Sequence, residues 1–325
     1  MTQADAARTE DGDLLPRVAD VFRKLALNEQ WKAQIPTDPV LGPLVWRAAR
    51  RYVAGETASE ALTRIAEINR DGHRATVDFM GESCHDAERA GSEADAFVAL
   101  SKSLAAAGHD CSVSLDLSHI GLAIDPALAL RHARRLAEAT VAAGQEMMIS
   151  MEGSDRADAV LDVHGALCEQ FDHVGVTILA RLHRTADDLP VLLSRPGRIR
   201  LVKGAFLEPE TIAFPRGSRE LRDAYLRCAG ALLDSDHLCS FATHDWDLLG
   251  ELDRMLTGRP RTGVVPWEFE TLLGLGPGRL AVMRAKGHPT REYVVFGTEW
   301  WLYVCNRIAE EPERLFRAVA DAAGD

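Results

Sequence analysis

Glu146-Met-Met-Ile-Ser-Met151, the amphipathic stretch from Ala157 to Phe171, and Val174-Gly-Val-Thr-Ile-Leu179 together read as strand, helix, strand. Apolar runs of about five residues joined by a helix of three to four turns are the signature of parallel pairing, because a hairpin cannot join parallel strands. The same alternation extends in both directions. Strand-like runs begin at Ala75 (ATVDFM), Cys111 (CSVSLDL), Ile199 (IRLV), Leu238 (LCSFAT), Thr262 (TGVVPW) and Glu292 (EYVVF). Helical stretches include Ala94–Ala107, Ala127–Ala143 and Arg219–Leu233. Eight strand–helix units over about 250 residues are the size of one (β/α)8 TIM barrel of class α/β.

Ahead of the first strand the periodicity is helical throughout. Leu15, Val18, Val21, Phe22 and Leu25 share one face, and a second segment runs from Leu41 to Val53. A third starts at the capping box Thr57/Glu60, carries the stripe Ala61, Leu62, Ile65 and Ile68, and stops at Gly72. The expected organisation is an N-terminal helical extension over residues 1–72 and a barrel over 73–325. No linker, low-complexity segment or internal repeat interrupts the series.

Lys and Arg number 37 against 49 Asp and Glu, a net charge of −12 over 325 residues. With no basic cluster beyond Arg47–Arg51, nucleic acid is not an expected partner. Mean hydropathy is −0.11 and no apolar run reaches the roughly 18 residues a membrane span needs. The first dozen residues are polar and acidic, unlike a signal peptide, and read as a frayed end of a cytoplasmic protein, either free or peripheral to the inner membrane. Six scattered cysteines without a CxxC pair read as reduced, buried side chains. Zinc-finger spacing, a phosphate-binding loop of Walker type, HExxH and GxSxG are all missing, and the glycine run at 274–278 reads as a turn.

Chemistry in such barrels gathers where strands end. Those positions supply Asp78, Glu82, Asp116, Glu152, Arg181, His183, Lys203, His244, Asp245, Glu268, Glu270 and Tyr293. Glu152, His183, His244 and Glu268 are of ligand type for a divalent metal, but the His-x-His pair common in metal barrels is missing, and no metal is expected.

The strings Val53-Ala-Gly-Glu-Thr57, Met151-Glu-Gly-Ser-Asp155, Leu182-His-Arg-Thr185, Arg200-Leu-Val-Lys-Gly-Ala205, Phe241-Ala-Thr-His244, Trp267-Glu-Phe269 and Tyr293-Val-Val-Phe-Gly297 occur in an order and spacing that resembles the proline dehydrogenase family. The resemblance implies a distorted (β/α)8 barrel that binds FAD. It places Met151, Leu179, Arg200, Val202, Lys203, Gly204, Thr243 and His244 at the cofactor. Arg200 would face the reactive flavin nitrogen, and Lys203 with Gly204 would suit the diphosphate. Arg200, Tyr293 and Arg307 are the implied catalytic positions.

Departures from the family pattern cluster at the pocket. Ser114 stands where the family has Lys, Ser150 where it has Asp, Asn306 where it has the first of two Arg, Phe206 where it has Tyr, and Leu179 where a Gln contacts flavin. Losing Lys and Asp together is self-consistent, since removing one partner alone would strand a buried charge at about 3–5 kcal/mol. Arg307 is left as the cation for an anionic group, while Tyr293 and Glu310 still match pocket positions. The resemblance therefore implies a flavoenzyme that takes hydride from a carbon next to nitrogen, giving an imine or hydrazone. Its expected substrate is not free L-proline but a modified or carrier-bound amino acid, an amine or a hydrazine. The acceptor that reoxidises the flavin is a quinone, oxygen or a redox protein. Two alternatives stand beside this reading: an ordinary L-proline dehydrogenase with a tolerant pocket, and a flavin-free paralogue serving as a binding or assembly protein.

Overall fold

In the computed structural model, which describes residues 3–259 and 265–323, with side chains from Leu14 onward, the β-branched and aliphatic runs become eight parallel strands. They are β1 (Arg74–Phe79), β2 (Cys111–Leu115), β3 (Met147–Ile149), β4 (Val174–Leu179), β5 (Ile199–Val202), β6 (Cys239–Ala242), β7 (Trp267–Leu272) and β8 (Thr290–Phe296). Each pairs with its sequence neighbour and β8 closes on β1, with Asp78 opposite Val295 and Tyr293 opposite Thr76. Closure removes every free strand edge.

The helices are α1 (Gln3–Ala26), α2 (Glu29–Gln34), α3 (Leu41–Ala49), α4 (Ala58–Arg70), α5 (Ala87–Ala107), α6 (Pro126–Ala142), α7 (Ala157–Cys168), α8 (Thr185–Leu192), α9 (Arg219–Asp234), α10 (Trp246–Leu256), α11 (Pro277–Ala285), α12 (Trp300–Glu310) and α13 (Arg314–Ala323). Starts are set by side-chain caps: Thr57 and Glu60 form the reciprocal capping box of α4, and Asp86, Asp125, Ser218 and Asp245 accept first-turn N–H groups of α5, α6, α9 and α10. Gly72 follows α4 at φ +83°, the left-handed stop its position calls for. The polar N-terminus, expected to be frayed, is helical from Gln3. Among the described residues no helix is long and apolar enough to cross a membrane.

The helices ahead of the barrel pack on those that close it. Trp46 of α3 lies 5.3 Å from Trp300 between ring centroids, the Trp300 indole donates to Glu56 at 3.1 Å, and the Trp301 indole to the Leu25 carbonyl at 2.9 Å. Both indoles of the Trp300-Trp301 pair are thus packing groups inside the fold.

The seventh strand lies further along the chain than its apolar content suggests. The run at 262–267 lies largely outside the described residues, and the seventh strand is Trp267–Leu272. Its outward residues Trp267 and Phe269 join the apolar layer under the helices, while Glu268 and Glu270 face into the barrel. A strand with two inward carboxylates does not look like a buried strand, whereas Val264 and Val265 do. Glu268 consequently sits at the base of the barrel and not at its mouth.

That base is an ion network, not an aliphatic plug. Arg291 donates to Glu268 at 2.6 Å and to Ser112 at 2.6 Å, Arg198 reaches Glu146 at 2.9 Å, and Ser240 donates to Glu268 at 2.6 Å. Burial alone would raise the Glu268 carboxyl, but Arg291 and Arg198 hold it at about 2. Replacing Glu268 with Gln should cost about 3–5 kcal/mol by leaving two buried guanidiniums undercompensated. Urea unfolding measures this, and a loss below about 1 kcal/mol would contradict it.

Candidate active site

Two residues above that base, each strand presents its next inward side chain, and these build the site. Arg200 on β5 is 4% exposed. Its Nε donates to Glu270 at 3.1 Å, its Nη1 to Ser114 at 3.3 Å and Thr177 at 3.4 Å, and its guanidinium carbon lies 4.8 Å from the Tyr293 ring centroid. The Tyr293 hydroxyl donates to Asp78. One carboxylate oxygen of Glu270 is buried without a hydrogen-bond partner, so the ion pair keeps acceptor capacity toward the cavity.

Beside Arg200 the charges thin out. The Ser114 and Ser150 hydroxyl oxygens are 3.2 Å apart. Burial pushes Asp78 well above the carboxylate range, and the charge of Asp116 adds to it. Asp116 is pushed to about 7 by burial and then by Glu152, against which the Ser150 hydrogen bond acts. Glu152 is itself occupied, accepting the Ser118 N–H at 2.9 Å and Arg156 at 2.7 Å.

The other rim of the mouth is cationic. His244, just past β6, is held at about 3 by burial and then by Arg314, Arg307, Arg279 and Lys203 around it, so it is neutral at any working pH. Lys203 pairs with Asp245 at 2.5 Å, and Asp245 also caps α10. Gly204 adopts φ +110°, and a Cβ there would stand 3.3 Å from Arg181 and 3.4 Å from Leu179. A bare backbone, a neutral imidazole acceptor or donor and four surrounding cations suit a large anionic cofactor such as a dinucleotide diphosphate.

Of the residues expected from the sequence, Arg200, Tyr293, Ser114 and Ser150 converge, and Lys203, Gly204, Thr243 and His244 line the neighbouring rim. Met151 and Leu179 share a small apolar cleft with Leu182 and Thr185. Arg307 is not a free cation: it pairs with Glu310 at 2.6 Å and lies 5.1 Å from the Tyr303 ring. Phe206 is 45% exposed on the loop after β5, where its carbonyl accepts from Arg181. Asn306 is half-buried on α12 beside Arg307. His183 is exposed with its ring against Phe214 at 4.5 Å, and Glu268 is at the base, so the four metal-type residues do not converge.

Three contributors stand among the strand-end residues of the sequence but not among its expected pocket residues: Asp78, Asp116 and Glu270. Thr177 was missed altogether. The available signal was parity. Asp78 lies opposite Ser114 in the β1–β2 register, and Asp116 follows Ser114 by two residues on the same face.

Residues 61–303 match the family model described as proline dehydrogenase. Proline dehydrogenase 1 of Bacillus subtilis subsp. natto is 32% identical over 267 residues, covering 81% of this chain and 87% of that protein. Proline dehydrogenase of Deinococcus radiodurans is 29% identical over 300 residues, covering 91% and 96%. Among solved structures, proline utilization A from Bdellovibrio bacteriovorus, inactivated by N-propargylglycine, superposes with a TM-score of 0.74 at 20% identity, covering 84% of this chain and 34% of that one. This chain thus spans about a third of that longer protein and most of the length of the two proline dehydrogenases. With the closed barrel and its buried Arg200–Glu270 pair, these matches show that the chain belongs to the proline dehydrogenase family of FAD-dependent oxidoreductases.

Proposed function

We propose that this oxidoreductase oxidises a C–N bond of a proline-like or related amine whose carboxylate is masked or missing, with free L-proline a poor substrate. The bound FAD supplies the hydride acceptor. Arg200, Val202, Lys203, Gly204, Thr243 and His244 would hold it, with Met151 and Leu179 on its apolar side. The opened backbone at Gly204 and the cation cluster around His244 support that placement. Gly204→Ala would be both strained at φ +110° and crowded against Arg181. The expected result is a purified wild-type protein that is yellow, and a variant that retains less than half as much flavin per protein by absorbance after gel filtration. Equal retention would contradict the assignment.

The observation that carries the substrate reading is the Ser114–Ser150 pair, 3.2 Å apart and neutral at positions where the family resemblance implies Lys and Asp. Among the described residues the cations near that corner are already paired, Arg200 with Glu270 and Arg156 with Glu152, and Arg307 is engaged by Glu310. A carboxylate placed there would give up hydration without a free fork to receive it, while facing Asp78 and Asp116. Tyr293 keeps an aromatic platform for a small ring. Anaerobic flavin bleaching by proline methyl ester and by pyrrolidine is expected to exceed that by proline by about 100-fold in kcat/KM, corresponding to about 2.7 kcal/mol. Proline bleaching the flavin as fast as the ester would sink this reading.

A second reading, ordinary proline dehydrogenase, is favoured by the names of the relatives and by the retained Arg200, Tyr293 and Arg307. The same comparison of proline with its ester decides between them. A cytoplasmic location accords with the lack of a membrane-spanning helix among the described residues.

A further inference from the structure

The loop that follows β5, residues 203–218, carries neither helix nor strand, and its first residues, Lys203 and Gly204, stand on the cationic rim of the site. Irregular segments beyond about 12–15 residues in a compact domain are commonly functional, and they need anchors in place of secondary structure. One residue just past β4, Arg181, holds this loop at four places, Lys203, Phe206, Glu208 and Phe214. Its N–H donates to the Lys203 carbonyl at 3.0 Å, and its own carbonyl accepts the Phe214 N–H at 2.9 Å. Its guanidinium donates through Nε to the Phe214 carbonyl at 2.8 Å, through Nη1 to the Phe206 carbonyl, and through Nη2 to the Glu208 carbonyl at 3.3 Å.

Arg181 is 5% exposed and makes no salt bridge among the described residues, so its charge is balanced by carbonyl dipoles of the loop it holds. A lysine would bring the same charge but not the planar fork whose separate N–H groups reach three carbonyls. Gly204 rests directly on this residue, since a Cβ there would stand 3.3 Å from the Arg181 Cβ. The loop is clasped a second time through Glu208, whose carboxylate accepts the Ser154 N–H at 2.8 Å and the Ser154 hydroxyl at 2.6 Å. That clasp ties it to the segment after β3 that carries Met151.

We propose that Arg181 is a positioning residue for the cofactor, which it serves through the loop it holds: it fixes the Lys203–Gly204 backbone in place before the flavin nucleotide arrives, and the Glu208–Ser154 clasp keeps the rest of the loop in register. The proposal rests on the preceding reading that Lys203 and Gly204 hold FAD. Any ordering of the loop left to the binding step would subtract from affinity, so a loop fixed in advance retains the cofactor longer.

The test is the rate of flavin loss from the FAD-loaded enzyme after dilution into flavin-free buffer, followed by fluorescence of the released flavin, with visible circular dichroism of the bound flavin recorded beforehand. Arg181→Met keeps an unbranched stem without a donor. It should lose flavin at least about 10-fold faster than wild type, with altered visible bands, under conditions where its far-ultraviolet dichroism is that of wild type. Arg181→Lys should behave like Arg181→Met and not like wild type. Glu208→Ala leaves the main-chain carbonyls to Arg181 and opens only the clasp to Ser154; it should speed the loss about 3-fold and decides the matter if the Arg181 variants do not fold. Wild-type rates in Arg181→Met, or in Glu208→Ala where that variant stands in, overturn the positioning role while leaving the cofactor placement intact if Gly204→Ala still loses flavin quickly. Faster loss with unchanged visible bands marks a general loosening of the fold and overturns the role as well. Wild-type retention in both Gly204→Ala and Arg181→Met removes the cofactor placement, and the role of Arg181 with it.

Discussion

Glu268 and Glu270 stand two residues apart on one strand and point the same way, and between them they anchor Arg291 and Arg200 inside the barrel. A charge inside a closed sheet is tolerable only with a partner at hydrogen-bonding distance and with its remaining donors satisfied. Glu268 meets this for Arg291 at the base, with Ser112 and Ser240 completing the layer. Glu270 meets it for Arg200 two residues higher, with Ser114 and Thr177 on the far side. Misregistering β7 by one residue would point both carboxylates into the apolar layer beneath the helices. The strand that looks least like a buried strand therefore sets the position of the reactive layer.

Above that layer the pocket is electrically divided. One rim gathers Lys203, Arg279, Arg307 and Arg314 around a neutral His244, the environment a dinucleotide needs. The other holds Asp78 and Asp116 near the neutral hydroxyls of Ser114 and Ser150, at which positions the family resemblance implies a Lys and an Asp. An interior of this kind favours a ligand that brings positive charge and opposes one that brings a carboxylate. The proposed substrate preference rests on Ser114 and Ser150, two neutral hydroxyls 3.2 Å apart.

Much of this was legible in the chain. Alternating apolar runs and helices gave the closed barrel, and Thr57, Glu60 and Gly72 marked the ends of α4 correctly because caps are local chemistry. Arg200, Ser114, Ser150 and Tyr293 were singled out and do converge. What escaped was set by long-range pairing. The seventh strand was displaced because its inward carboxylates find their partners on β5 and β8, dozens of residues away. Arg307 is a local exception, since its partner Glu310 stands one turn along α12, and Arg314 of α13 also reaches that carboxylate. Asp116 read as a generic strand-end acid because the burial and the Glu152 charge that raise it are set by neighbouring strands.

The claim on which the account turns is that the serine pair inverts the pocket's preference for charge. Calorimetric binding of two rings without an oxidisable nitrogen, tetrahydrofuran-2-carboxylate and neutral tetrahydrofuran-2-carboxamide, to the FAD-loaded enzyme reads this without turnover. Wild type should bind the amide at least about 10-fold more tightly, and the double variant Ser114→Lys, Ser150→Asp should reverse the order. Tighter binding of the carboxylate by wild type, with no change in the double variant, would contradict it.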